Sequence, residues 1–296
     1  MTMVLGFFGF GEVGYFMSKG LKTAGFGRIV AFDKALLGEG AVAATVRSRA
    51  EDAGVELKTS LEDMLRASGA VISALPAKFA PAAAEEALQL MAEAEFYVDV
   101  TTAKPAEKKR LERLFAEKNI KFVDCAMLGP LPIYGHSVPI LSSGAGAQDW
   151  AHMMNPFGMK IDVTEGDAGT ASSIKLVRSV FMKGLEALLV ESFLFARKSG
   201  AEDVVLDSIA ETLKVPFQQT AQRMIAADLV HAERRAFEVG ESIELMNDLG
   251  VEPVMAEAIV KRLSKSAALG TREELGGVPP KTLRDVYEIW LKKQYS

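Results

Sequence analysis

Two hydrophobic periods alternate along the first half of the chain. Short runs at 3–8, 28–33, 55–58, 70–75, 96–100 and 120–125, most of them largely apolar, read as strands. Between them, at 13–24, 38–52, 61–67, 80–94 and 105–118, apolar residues recur every three or four positions, the spacing of a helix with one face inward. Short buried strands alternating with helices predict a parallel sheet covered on both faces. Two further strands are expected at 138–142 and 159–163, after the alternation ends. Beyond Gly166-Asp-Ala-Gly169 the pattern changes, and no strand signal follows. One long, mostly apolar helix is expected over 171–198, then helices over 203–213, 216–227, 231–249, 253–268 and 282–293. The expected fold class is an α/β Rossmann N-terminal domain, 1–165, plus an all-α C-terminal domain, 166–296, joined by the long helix. A helix as apolar as 174–195 must be covered, either inside the second domain or by another subunit.

The turn after the first strand adds chemistry to this picture. Gly9-Phe10-Gly11-Glu12-Val13-Gly14 lies between strand and helix, and Asp33 ends the second strand about 20 residues on. In such a turn the first glycine permits the bend and the second lets backbone approach a pyrophosphate. The third lets helix pack on strand, while the helix N-terminus offers unpaired N–H groups to the phosphates. A glycine-rich turn without a ligand is the alternative. Asp33 suits the ribose hydroxyls of NAD and repels the 2′-phosphate of NADP. Lys34, Arg47 and Arg49 are nearby cations that weaken this preference, so NADP stays open.

A net charge of −5 argues against a general nucleic-acid binder. The single cysteine, Cys125, precludes an intrachain disulfide and points to a reducing cytoplasm; a small buried side chain is its expected role. The N-terminus lacks the basic region of a secretion signal, and the run 187–195 is too short and too polar to span a membrane. His152 and His231 have no partners at metal-ligand spacing, so no catalytic metal is expected.

On the long helix, Lys175, Arg178, Ser179, Met182 and Lys183 share one face among apolar neighbours. A cationic stripe on a buried helix is costly unless it lines a cleft or meets anions, although snorkelling or ion pairing would also satisfy it. Burial and the charges of Arg178 and Lys183 would lower the pKa of Lys175, which suits a general acid/base beside a nicotinamide. Arg178 can hold a substrate carboxylate by a two-pronged contact.

With these residues in view, the sequence resembles the β-hydroxyacid dehydrogenases, a family that includes 3-hydroxyisobutyrate dehydrogenase and, more distantly, 6-phosphogluconate dehydrogenase. Gly6, Gly9, Gly11, Gly14 and Met17 resemble the family's opening fingerprint, and Ala74-Leu75-Pro76 the turn against the cofactor. Thr101 and Thr102 resemble the hydroxyl residues that approach the nicotinamide. Phe122-Val123-Asp124-Cys125 with Gly129 resembles the start of the substrate motif. Gly166-Asp-Ala-Gly169, with Lys175 six residues on, resembles the segment carrying the catalytic lysine. The departures lie in the substrate pocket. Leu128-Gly129-Pro130 stands where the family has Ser-Gly-Gly, and Ser179 where it has asparagine. Phe237-Glu238 falls near its Lys-Asp pair. The chain is thus read as a divergent branch with a rewritten substrate loop, in which Leu128, Gly129, Arg178 and Ser179 would meet substrate. His136 is placed either at the substrate or on a surface loop, and the charged run from His231 to Arg235 either on a solvated face or over the cleft.

The expected function is an NAD(P)-dependent dehydrogenase or reductase acting on the CH–OH group of a small anionic hydroxy acid or its carbonyl counterpart. Imine reduction, or a catalytically silent dinucleotide-binding regulator, are the alternatives. A homodimer or higher homo-oligomer is expected from the long apolar helix.

Overall fold

Strands that are apolar on both faces must pair side by side and be covered on both sides, and they are. The computed structural model describes residues 3–91 and 94–295. Its strands are β1 (Leu5–Phe8), β2 (Ile29–Phe32), β3 (Glu56–Leu57), β4 (Ala70–Ser73), β5 (Phe96–Asp99), β6 (Lys121–Met127), β7 (Pro139–Ser143) and β8 (Lys160–Val163). They form one sheet in the order β3-β2-β1-β4-β5-β6-β7-β8. Strands β1 to β6 run parallel, with Phe8 level with Phe32 on one side and Ser73 on the other. Further along, Ser73 is level with Asp99, and Asp99 with Asp124.

The helices of this unit are α1 (Glu12–Thr23), α2 (Ala41–Ala53), α3 (Leu61–Ala67), α4 (Ala80–Leu90), α5 (Pro105–Ala116), α6 (Leu131–Tyr134) and α7 (Ala147–Met154). Alternate strand residues face opposite cores. Phe7, Ile72 and Val98 join Met17, Leu21, Val46 and Trp150 on one face. Phe8, Val71 and Tyr97 join Met64, Ala84, Leu111 and Phe115 on the other. Fully burying each of the larger side chains stabilises the fold by about 1.5–3 kcal/mol.

Strand β7, whose direction the sequence left open, runs antiparallel to β6, and two helices differ from the sequence expectation. The connection between them is too short for a crossover helix; it holds only the one-turn α6 and a 3₁₀ turn at Gly135–Ser137, and it reverses the chain. The helix expected over 80–94 ends at Leu90, and residues 92 and 93 of that stretch lie outside the described residues. The two helices expected over 216–227 and 231–249 are one, α10 (Phe217–Asp248). The linking residues Leu229 and Val230 contain no breaker and are buried in an apolar cluster with Ala226 and Val286.

The remaining helices are α8 (Thr170–Lys198), α9 (Glu202–Thr212), α11 (Val254–Ala267), α12 (Thr271–Glu274) and α13 (Leu283–Lys292). Among the described residues no strand follows β8. The chain divides into two compact units, Met1–Ser179 and Val180–Ser296, so the division falls inside α8 rather than at the expected 165/166 join. The reason is local: Ala171 and Ser172, in the first turn of α8, are buried in the first unit. In the second unit, α10 packs with α13 through Val230 and Val286, and Met246 and Ala256 join α10 to α11. Glu191 of α8 accepts the Met255 and Ala256 N–H groups at 2.6 and 2.8 Å, capping α11. Several apolar residues of α8 are exposed, among them Val177, Val180, Phe181, Val190 and Leu194. No helix among the described residues is long and apolar enough to cross a membrane.

Candidate active site

Every residue expected at the site falls within the first unit. Lys175, Arg178 and Ser179 lie near the start of α8, which follows β8, and those from Gly9 to Gly129 lie on segments that leave the carboxyl ends of β1, β2, β4, β5 and β6. This is the edge where open parallel sheets bind ligands, and strand order changes direction between β1 and β4.

The glycine turn takes its shape from close contacts. Gly9 has φ +90°, and a Cβ there would lie 2.8 Å from Leu75 and 2.9 Å from the Ala74 carbonyl oxygen. A Cβ on Gly14 would lie 2.9 Å from the Gly9 oxygen and 3.0 Å from the Phe10 ring, so the third glycine lets α1 sit against the turn. Around Gly11, by contrast, space is open. Phe10 is buried in the core, edge-on to Phe7, and contributes its backbone. Its N–H donates to Asp33 Oδ2 at 2.8 Å, while Asp33 Oδ1 accepts from the Ala35 N–H at 2.9 Å. Asp33 therefore braces the turn and caps the 3₁₀ turn after β2.

In front of this turn is a cavity of about 770 Å³. Gly9, Gly11, Glu12, Val13, Asp33, Leu75 and Pro76 all line it, together with the expected neighbour Lys34 and with Phe79 and Glu86, which the sequence did not single out. Lys34 pairs with Glu86 at 3.0 Å. Arg47 and Arg49 are not among the lining residues, and Arg49 lies over the Tyr15 ring instead. Backbone bared by glycines, an open helix N-terminus and a carboxylate at the end of β2 fit a dinucleotide, with the phosphates at Gly11–Val13 of the turn and the adenosine ribose at Asp33.

After β5 the structure separates two neighbouring threonines. Thr101 is turned inward, its Oγ1 accepting from the Ala103 N–H at 3.3 Å. It is Thr102 that is exposed, and its hydroxyl receives a hydrogen bond from Lys175 Nζ at 3.4 Å. Lys175 itself is half-buried, and Arg178, one turn further along α8, is exposed.

The start of α8 is fixed by groups that periodicity gave no reason to choose. Asp124 of β6 is fully buried and accepts from the N–H groups of Gly169 and Ser172, both at 2.9 Å. The Ser172 hydroxyl donates to it at 2.7 Å, and so does Lys108 Nζ of α5 at 2.7 Å. Lys108 is also fully buried, donating to the carbonyl oxygens of Thr101 at 2.8 Å and Asp99 at 3.2 Å. Gly169, at φ +99°, must be glycine, because a Cβ would stand 2.4 Å from the Pro105 carbonyl oxygen. A signal for Lys108 did exist in the sequence: it falls on the stripe of α5 that buries Leu111 and Phe115.

Leu128 and Gly129 follow β6, and a Cβ on Gly129 would press on the Tyr134 ring at 3.1 Å. His136 is half-buried and packs against its own unit. Its ring fills the space over Gly20 of α1, and Nε2 pairs with the Phe157 carbonyl oxygen at 3.1 Å. Cys125 is buried, and burial, reinforced by the neighbouring Asp124 charge, pushes its thiol up to about 12.

Residues 4–149 match the family model described as the NAD binding domain of 6-phosphogluconate dehydrogenase, and residues 196–266 match a domain of unknown function, DUF1932. The chain is 30% identical to a conserved protein of unknown function whose solved structure is described as similar to 3-hydroxyacid dehydrogenases. That match covers 89% of this chain and 96% of the other, with a TM-score of 0.59. The chain belongs to the β-hydroxyacid dehydrogenase family. It is a divergent member, and the stretch matched to the NAD binding domain takes in the glycine turn after β1 and the turn after β4. It is also 28% identical to an uncharacterized protein of Methanothermus fervidus, over 86% of this chain and 94% of that one. The fold extends to a reductive aminase from Aspergillus terreus, solved with NADPH, at 18% identity and a TM-score of 0.75 over 98% of each chain.

Proposed function

We propose that this β-hydroxyacid dehydrogenase family member is an NAD-preferring oxidoreductase acting on a small hydroxy acid or its carbonyl counterpart, with Lys175 as general acid/base. The observation that carries the reading is the Lys175–Thr102 contact at 3.4 Å, at the same sheet edge as the cavity around Gly9 and Asp33. When bound, a nicotinamide dinucleotide supplies the hydride acceptor or donor. Lys175 takes the hydroxyl proton as an alcohol becomes a carbonyl, or returns it in the reverse direction. Thr102 holds the amine in place, and Arg178 provides a cation for the substrate carboxylate. The NAD preference rests on the cavity's charges: Glu12, Asp33 and Glu86 line it against a single cation, Lys34, already paired with Glu86.

A second reading, reduction of an imine, is favoured by one feature. Leu128-Gly129-Pro130 offers no side-chain donor for a carboxylate, so the pocket suits a less anionic substrate. A dinucleotide-binding regulator is the third reading. NAD⁺ and NADP⁺ reduction across a panel of 2- and 3-hydroxy acids, beside NAD(P)H oxidation with cyclic imines, separates them. Hydroxy-acid turnover is expected. Turnover with imines alone would replace the first reading with the second, and tight NADH binding with no turnover on either panel would favour the regulator.

The exposed apolar residues of α8 support a homodimer in which a second copy covers them.

A further inference from the structure

Lys108 and Asp124 form an ion pair with no access to solvent, and both groups are saturated by their surroundings. An ion pair in this position is not there for stability alone, since apolar residues of similar volume commonly hold a core as well. Its connections show what it joins. Asp124 accepts three hydrogen bonds from Gly169 and Ser172, the residues that open α8. Lys175 follows Ser172 by one helical turn on the same face. Lys108 holds the carbonyl oxygen of Thr101, the residue before Thr102, at 2.8 Å. The two halves of the Lys175–Thr102 contact are therefore suspended from the two ends of one buried ion pair. Two neighbouring bonds narrow the freedom further: the Ser143 hydroxyl accepts from the Ala171 N–H at 3.0 Å, and Glu112 from the Ala168 N–H at 3.0 Å.

We propose that Lys108, Asp124 and Ser172 are positioning residues that fix Lys175 against Thr102. They touch neither the cavity nor a reacting group and act through the backbone at Thr101 and at the first turn of α8. The proposal rests on the assignment of Lys175 as acid/base for its catalytic meaning, but its geometric content does not. A side chain held this way loses its fixed placement when the anchor is cut, whereas the cofactor turn, braced separately by Asp33, does not respond.

The test uses the full-length protein, reductively methylated with ¹³C-formaldehyde, with the Lys175 dimethylamine resonance assigned by its loss in Lys175→Arg. Ser172→Ala removes a single hydroxyl without changing charge, Asp124→Asn removes the acceptor, and Ser172→Thr restores the hydroxyl. In Ser172→Ala and Asp124→Asn the Lys175 resonance is expected to move into the band of solvent-exposed lysines, and in Ser172→Thr to return. NADH affinity stays within about twofold throughout, as for independent sites. On the best substrate, kcat is expected to fall by about 100-fold in Asp124→Asn, with KM for NADH unchanged. A Lys175 resonance unmoved in Ser172→Ala and Asp124→Asn would overturn the proposal. If Asp124→Asn does not fold, the Ser172 pair decides alone. Activity surviving Lys175→Ala would remove the acid/base assignment and leave the positioning result standing, so the two failures are distinguishable.

Discussion

Replacing Asp33 with serine should exchange the cofactor preference rather than abolish binding. The carboxylate at the end of β2 is already committed to the Phe10 and Ala35 N–H groups, at 2.8 and 2.9 Å, and each oxygen keeps a second lone pair for a ribose hydroxyl. A hydrogen bond to a charged group contributes about 1.5–3 kcal/mol, so losing it should weaken NADH roughly 10- to 150-fold. Against NADPH the sign reverses. At an effective dielectric of about 20, two unit charges roughly 5 Å apart repel by about 3 kcal/mol. Lys34 offsets little of this while Glu86 occupies it. Removing the carboxylate should therefore raise NADPH affinity by about 10- to 100-fold. Serine can still cap the Ala35 N–H, and loss of the second carboxylate oxygen's bond to the Phe10 N–H costs about 1–3 kcal/mol of stability, a few degrees in Tm for a unit of this size. Titration of both dinucleotides by fluorescence, on wild type and Asp33→Ser, measures the two changes together. A parallel fall for both would mean that Asp33 only braces the turn, and a wild type that already prefers NADPH would refute the charge argument outright.

Gly14→Ala should cost about 1–3 kcal/mol and weaken NADH at least tenfold, because the new Cβ meets the Gly9 carbonyl oxygen at 2.9 Å, and that oxygen belongs to a turn with no slack. Thermal melting and NADH titration check both numbers. Cys125 should be inert to a disulfide reagent at pH 8 and react fully in denaturant, since its thiol ionises only near pH 12 in the fold; reaction of the native protein would contradict its buried setting. Light scattering should return the mass of a dimer, and Val180→Asp with Val190→Asp, at two exposed positions of α8, should reduce it to a monomer while NADH binding persists, because the cofactor turn is braced within the first unit by Asp33. A monomeric wild type would remove the dimer.

The parts of the fold that local physics dictates were legible in the sequence. Strands β1, β4 and β5 are runs apolar on both faces, and Gly9 and Gly14 stand where a side chain would strike backbone. The Asp33 signal depends only on its place after β2. Tertiary context hid the rest. The reversal at β7 is set by a connection that folds on itself, not by the strand. Asp228 interrupts an apolar stripe without interrupting α10. Thr101 and Thr102 are indistinguishable as letters, and only the turn after β5 decides which hydroxyl is presented. Lys108 falls on the buried stripe of α5, but which group receives its charge shows only once Asp124 is placed beside it. The exposure of α8 could not be separated in advance from burial inside a helical domain, because both demand the same apolar sequence.

The central claim is that Lys175 moves the proton that accompanies hydride transfer. The most direct measurement is single-turnover NADH formation by wild type and Lys175→Ala on the best hydroxy acid, with NADH affinity measured alongside. Loss of the transferred proton's acceptor is expected to slow the step by about 10²–10⁴-fold while NADH still binds. An unchanged single-turnover rate in Lys175→Ala would contradict the account.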